Sequence, residues 1–156
     1  MVETGKLLTN IPRLSTEYSI KLDYRIFQQE NIWTSLFHCS NSQHGSAFYG
    51  SRIPFIALRP ASNYRIHVVC PVNDDANYYY DVGKRSDFNK TNHLEIHQRY
   101  ISGGNYRYFI IHNGQEMHSK VHNKVMQFYD VKCWGTGTWN DPSKAYISNV
   151  EITNFL

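Results

Sequence analysis

Eight histidines are the first residues in this chain that could do chemistry, and their spacing raises the question of a metal. His93 and His97, and likewise His118 and His122, stand four apart, as the two ligands of a helical zinc pair do. On a strand, however, four residues span ~13 Å. Two imidazoles that far apart do not share an ion at ~2 Å, so no zinc site is expected. His97 and His112 remain of interest as residues on adjacent strands, where they would contribute one pH-sensitive face. Asn73-Asp74-Asp75-Ala76-Asn77 gathers oxygen atoms of the kind calcium takes. The same residue types are what a hairpin turn prefers, so Asp74 and Asp75 are weak calcium candidates and plain turn chemistry is the expectation. No other cofactor is implied.

A second constellation suits a sugar. Trp134 and Trp139 flank a glycine-threonine turn, and Asn140-Asp141-Pro142 follows. An indole covers the apolar face of a sugar ring, while amides and carboxylates meet its hydroxyls. Trp134 falls in strand phase and is expected in the core. That leaves Trp139, Asn140 and Asp141 as the exposed candidate set. In Tyr78-Tyr79-Tyr80 the middle residue faces opposite to its neighbours, so Tyr79 joins the ligand-binding candidates, as do His97 and His112. Asn89-Lys90-Thr91 is a glycosylation sequon in a loop, with Asn89 the acceptor.

Hydrolytic and nucleophilic chemistry finds less support. A glycosidase needs two carboxylates at close approach, yet Glu95 stands alone beside His97. Cys39 has His38 next to it, but neighbours on a strand point to opposite faces, and a reactive thiolate needs an activating partner. No glycine-rich phosphate loop is present. The expectation from these residues is a chain that is not an enzyme.

The elements that position these residues are strands. Leu94, Ile96, Gln98 and Tyr100 alternate with Glu95, His97 and Arg99, which marks a half-buried strand. Residues 102–105 supply a turn, residues 106–112 read as a second strand, and Asn113-Gly114 is a strong hairpin signal. Tyr18, Ile20, Leu22, Tyr24 and Ile26 form the longest inward-facing series. Further strands are read at 6–11, 33–39, 53–59, 65–69, 77–82, 127–133 and 146–154, with the meander over 94–121. The continuous apolar runs 55–58 and 109–111 predict strands covered on both sides. Pro12 and Pro54 belong at strand starts or edges, because proline cannot donate to a ladder. Only residues 28–35 could hold a turn of helix. Spacings of 8–15 residues with Gly, Asn, Asp and Pro punctuation predict an all-β, two-sheet antiparallel sandwich in one domain over 1–156.

Composition narrows the function classes. The net charge is a mild +3, and Lys84-Arg85 is the only adjacent basic pair, so no nucleic-acid stripe is expected. No apolar run approaches the ~20 residues of a membrane helix. The opening MVETGKLLTNIP lacks the charged-then-apolar head of a leader, which leaves an intracellular protein or a chain whose leader has been removed. Three cysteines, Cys39, Cys70 and Cys133, leave at least one thiol free or paired with another chain. Three buried small hydrophobes is the first reading. One bridge with a spare thiol is the second.

The blocks GKLLTNIPRLSTEYSIKLDYRIF, NIWTSLFHCS, GSRIPFIALRP, RIHVVCPVN, HLEIHQRY, YRYFIIHNGQEMHS and FYDVKCW, ending in YISNVEI, resemble in their order the concanavalin-A-like (laminin-G-like) jelly-roll domains. The branch they resemble most is common in secreted and cell-surface proteins of marine invertebrates. That resemblance implies a jelly roll with binding loops at one rim, an extracellular setting and removal of a leader. It also implies recognition rather than catalysis, with a carbohydrate or a glycoprotein surface as partner. Related domains carry a Ser-Asp-Pro-Trp type turn before the last strand. Here residues 135–139 keep Trp139 and lack the acid, so neither a calcium nor a sugar role carries over to that turn from the resemblance. The leading expectation is a lectin-like domain binding carbohydrate through its rim loops. The alternatives are an extracellular adhesion module that binds protein, and a divergent hydrolase.

Overall fold

The computed structural model describes residues 3–28, 30–41, 48–60, 65–83, 86–136 and 140–155. Among the described residues there are twelve strands and no helix. Sheet A runs in the order β1 (Leu7–Leu14), β10 (Phe128–Trp134), β3 (Thr34–Ser40), β4 (Phe55–Leu58), β5 (Ile66–Val69) and β6 (Tyr79–Asp81). A two-residue strand, β11 (Asp141–Pro142), adds to β3 in parallel. Sheet B runs β12 (Ala145–Phe155), β2 (Glu17–Ile26), β7 (Asn92–Ser102), β8 (Asn105–His112) and β9 (Gln115–His122). All pairings within the two sheets other than that of β11 are antiparallel.

Period-two patterning explains the layering. Tyr18, Ile20, Leu22, Tyr24 and Ile26 of β2 all point inward, and none is more than 1% exposed. Register sets Ile20 opposite Ile96 and Leu22 opposite Leu94 on β7, and Ile96 opposite Ile110 on β8. Leu36, Ile56, Ile66, Val68 and Val131 of sheet A meet them in one continuous core. Each such side chain contributes roughly 1.5–3 kcal/mol by leaving water. The expected meander is present: Gly103 and Gly104 turn between β7 and β8, and Asn113-Gly114 closes β8 on β9. Asn113 and Gly114 sit at φ 48° and 79°, the left-handed pair that a type I′ hairpin requires.

The strands foreseen from the sequence are all present, with ends shifted by a few residues, and β11 is the one not foreseen. Pro12 lies on β1, the outer edge of sheet A, and Pro54 precedes β4 behind a cis Ile53–Pro54 bond. The run 55–58 is buried on both faces as expected. The run 109–111 is not: Ile110 is in the core, whereas Phe109 and Ile111 are half-buried on the outer side of sheet B.

The cysteines depart from the first reading. Cys39 and Cys133 are register partners on β3 and β10 with Cα atoms 4.0 Å apart, and they form a disulfide. Cys70 is the free, buried thiol. Burial pushes its ionisation up to about 12, which leaves it unreactive.

Candidate functional site

The sequence-derived candidates scatter over three surfaces. His97 and His112 do not share a face. Register places Phe109 opposite His97 and Leu94 opposite His112, so the two imidazoles point to opposite sides of sheet B. His112 is fully buried and meets the Tyr24 hydroxyl at 2.7 Å. His97 stacks on Phe109 at 4.6 Å on the outer side and contacts Glu95 Oε2 at 2.8 Å. The odd number of residues between pairing partners along a hairpin decides this parity, and separate inspection of two strands misses it.

Asp74 and Asp75 behave as turn residues. Asp75 Oδ1 accepts the Asn77 N–H at 2.8 Å, and Asp74 is paired with Lys124 at 2.5 Å on the surface. Among the described residues no group of three His, Cys, Asp or Glu side chains is arranged to hold a metal ion. Trp139 lies outside the described residues. Asp141 is exposed on β11, where it pairs with Thr34.

Tyr79 and Asn140 come to the same side of the molecule, the outer face of sheet A. Tyr78 and Tyr80 pack against the core, whereas Tyr79 projects the other way and is 59% exposed. Trp134 shares that outer face. The core position at the end of β10 is taken by disulfide-bonded Cys133, so alternation turns Trp134 away from the core, where it stacks on His38 at 5.6 Å. The expectation of a core Trp134 is thereby corrected.

A strip of rings crosses sheet A on this face. From Trp134 on β10 it passes His38 on β3 and Phe55 on β4 to His67 on β5 and Tyr79 on β6. At ~4.8 Å per strand this covers roughly 19 Å, but His38 and Phe55 in its middle are only 2% and 6% exposed, and the open surface lies with Trp33 and Tyr79. Phe55 meets His38 edge-on at 5.5 Å, and Tyr79 lies 5.1 Å from His67. Trp33, at the entry to β3, stands edge-on to His67 at 5.0 Å. A concavity of about 160 Å³ opens here, lined by Trp33, Arg52, Phe55, His67, Val69 and Asn140.

The polar groups of this concavity are held by one another. His67 Nδ1 and Asp81 Oδ1 are 2.8 Å apart, and Asp81 Oδ2 accepts from Arg59 Nη1 at 2.7 Å. The Arg59 guanidinium lies 5.6 Å from the Trp33 ring centre. Arg52 Nη1 donates to Asn77 Oδ1 at 2.5 Å, and its guanidinium lies 5.9 Å from the centre of Phe55. Burial lowers the pKa of His67 despite the hydrogen bond to Asp81, so the ring is neutral at neutral pH. In that state Nδ1–H donates to Asp81 and Nε2 is the basic nitrogen. A neutral, carboxylate-oriented imidazole beside a phenol and two guanidiniums can exchange a proton with a bound ligand and can also pair with an acid group. Arg52, Arg59, His67 and Trp33 were missed from the sequence. For Arg52, Arg59 and His67 the one signal was the concentration of Arg, His and aromatic residues over 52–81, and Trp33 stood only as the first residue of an expected strand.

No family model matches this sequence, and no curated protein is significantly similar to it in sequence. Solved structures do match it in shape. A heptameric SAP-like pentraxin from Limulus polyphemus aligns at 14% identity with a TM-score of 0.61, over 94% of this chain and 67% of that one. An endo-β-1,4-glucuronan lyase from the fungus Trichoderma reesei aligns at 9% identity with a TM-score of 0.62, over 94% and 73%. A mutant of the alginate lyase Aly36B in complex with alginate trisaccharide aligns at 15% identity with a TM-score of 0.58, over 96% and 73%. The expectation of a non-enzyme is corrected by these matches, because several of the neighbours are lyases. Its premise, the missing carboxylate pair, concerns hydrolysis, and a lyase cleaves by elimination instead. Strand order, the one continuous core and these alignments agree on the architecture: this chain folds as a concanavalin-A-like jelly roll.

Proposed function

We propose that the protein binds carbohydrate on the outer face of sheet A, at the Trp33–His67 concavity. The observation that carries this reading is the concavity itself, where the exposed Trp33 indole offers flat apolar surface beside Arg52, His67 and Asn140. Stacking and directional hydrogen bonds together are what sugar recognition requires. The guanidiniums of Arg52 and Arg59 bring positive charge to the concavity, so an acidic sugar is favoured over a neutral one. The complexes of similarly folded proteins with alginate trisaccharide and tetrasaccharide support a carbohydrate partner. Trp33, Arg52 and Asn140 reach the site from the segments before β3, β4 and β11, and Phe55, His67 and Val69 from the sheet face.

Titration calorimetry against neutral and uronate-containing oligosaccharides tests this reading. Trp33→Ala should weaken binding roughly tenfold, about 1.4 kcal/mol, and raised salt should weaken binding of the acidic ligands selectively. Equal binding by Trp33→Ala and the parent chain would remove the site from this face.

The Asp81-oriented His67 beside Tyr79 favours a second reading, cleavage of a uronate chain by elimination. A base removes the proton next to the carboxylate, the C4–O4 bond breaks, and an acid protonates the departing oxygen. In this reading His67 is the base, Tyr79 the acid and Arg52 the partner of the carboxylate. Turnover would appear as ultraviolet absorbance from the new double bond. His67→Ala should abolish that signal while retaining ligand binding. Absence of product from every acidic polysaccharide tried would leave recognition as the function.

A further inference from the structure

We propose that Asn89 carries an N-linked oligosaccharide, added in a secretory compartment, and that the glycan stands on the side of the sandwich away from the sheet A face. The chain holds one Asn-x-Ser/Thr triplet, Asn89-Lys90-Thr91. All three residues are exposed in the loop that leads from β6 to β7. The loop is a built projection. Asn92, fully buried at the start of β7, accepts the Asp87 N–H at 2.7 Å and donates to the Asp87 and Lys90 carbonyls at 2.8 and 3.1 Å. The Asn89 N–H donates to the Ile26 carbonyl at 2.8 Å, and its φ of 55° turns the side chain outward.

The acceptor side chain is oriented as well. Arg25 donates to Asn89 Oδ1 from Nε at 3.1 Å and from Nη2 at 2.8 Å. The amide oxygen is therefore held against the sheet, and Nδ2, the atom that is glycosylated, is the one left facing out. Arg25 lies between inward-facing Tyr24 and Ile26, so it marks the outer side of sheet B. A glycan on Asn89 thus leaves the Trp33–His67 concavity open. It also stands near exposed Phe88 and Tyr146, whose apolar surface its first sugars can cover.

The disulfide is the independent observation. Bonds such as Cys39–Cys133 form and persist in oxidising compartments, the same setting in which N-linked sugars are added. The transfer balances as a displacement. Nδ2 of Asn89 bonds to C1 of the first sugar, the bond from C1 to the diphosphate of a lipid-linked oligosaccharide breaks, and the lipid diphosphate leaves. The amide proton passes to a base of the transferase.

The test is mass spectrometry of the full chain, expressed behind a cleavable leader in a eukaryotic host, with cell-retained and secreted pools both read. The expected result is one oligosaccharide per chain, released by peptide N-glycosidase with conversion of Asn89 to Asp. Asn89→Gln and Thr91→Ala should lack it, and Thr91→Ser should keep it. The reading is taken on denatured chains, so folding defects in the variants do not obscure it. A chain that carries the Cys39–Cys133 bond at unmodified mass overturns the proposal, and so does a glycan that persists in Asn89→Gln.

Discussion

Two histidines that played no part in the sequence-derived site govern how the protein responds to acid. His38 is 2% exposed between Phe55 and Trp134, and burial lowers its pKa to about 4 even though its Nε2 meets the Ser51 carbonyl at 2.8 Å. His122 is lowered to about 4 by burial, and its Nδ1 accepts the Asn73 N–H, a bond that protonation would break. Both rings are neutral when folded but take up a proton near pH 6.5 when unfolded. Their stabilising effect is complete above pH 6.5 and is lost as pH falls towards 4. For His38 the loss is on the order of 3 kcal/mol. Urea unfolding at pH 7 and pH 4.5 should show the drop. His38→Gln, which keeps a donor towards Ser51, should remove about half of it, and an unchanged slope would exclude His38 as the cause.

A different histidine network lies on the outer side of sheet B. His93 bridges Asp23 Oδ1 at 2.6 Å and Glu95 Oε1 at 3.3 Å. The hydrogen bond from His93, joined by one from Asn149, lowers the Asp23 carboxyl. Burial opposes charge on Glu95, but the His97 hydrogen bond and the nearby Lys21, His93 and His97 charges bring it below its usual value. This ladder links β12, β2 and β7 across their exposed face. It shows why spacing alone read those histidines poorly: their partners are carboxylates on the same and neighbouring strands.

At the scale of elements, the disulfide connects the strands that carry much of the candidate face. β3 presents His38 and β10 presents Trp134, and the Cys39–Cys133 bond joins those strands one residue away on the opposite side. Its partners are 94 residues apart, so on the chain-entropy account it stabilises the fold by about 4.5 kcal/mol. Cys39→Ala with Cys133→Ala should lower Tm by on the order of 10 °C. A shift of a degree or less would mean that the strand ladder alone sets the register. The hairpin at Asn113-Gly114 offers a cleaner local test. Gly114→Val places a β-branched residue at φ 79°, where the cost is roughly 1–2 kcal/mol, read as a lower urea midpoint without change in ligand affinity.

On the scale of the whole molecule, stability rests on the layer between the sheets. Ile20 sits centrally on β2, 1% exposed, opposite Ile96. Ile20→Ala should cost about 3–4 kcal/mol, measured by chemical denaturation, and a loss under 1 kcal/mol would imply a core that collapses around the gap. The layering also keeps functions apart. The ring strip occupies the outer face of sheet A, while Arg25 and Asn89 belong to the sheet B side. No helix among the described residues is long and apolar enough to cross a membrane.

The sequence by itself determined the strands, the inward series from Tyr18 to Ile26, the Asn113-Gly114 turn and the two-sheet class. These follow from period two and from turn chemistry, both of which act between residues close in the chain. Tertiary structure alone decided that Cys39 meets Cys133, that Trp134 faces outward, and that His97 and His112 part company. It also brought Trp33, Arg52, His67 and Asn140 to one concavity from positions more than a hundred residues apart. Those outcomes depend on which strands lie side by side and in what register, and pairing between distant segments leaves no local periodicity in the chain from which to read it.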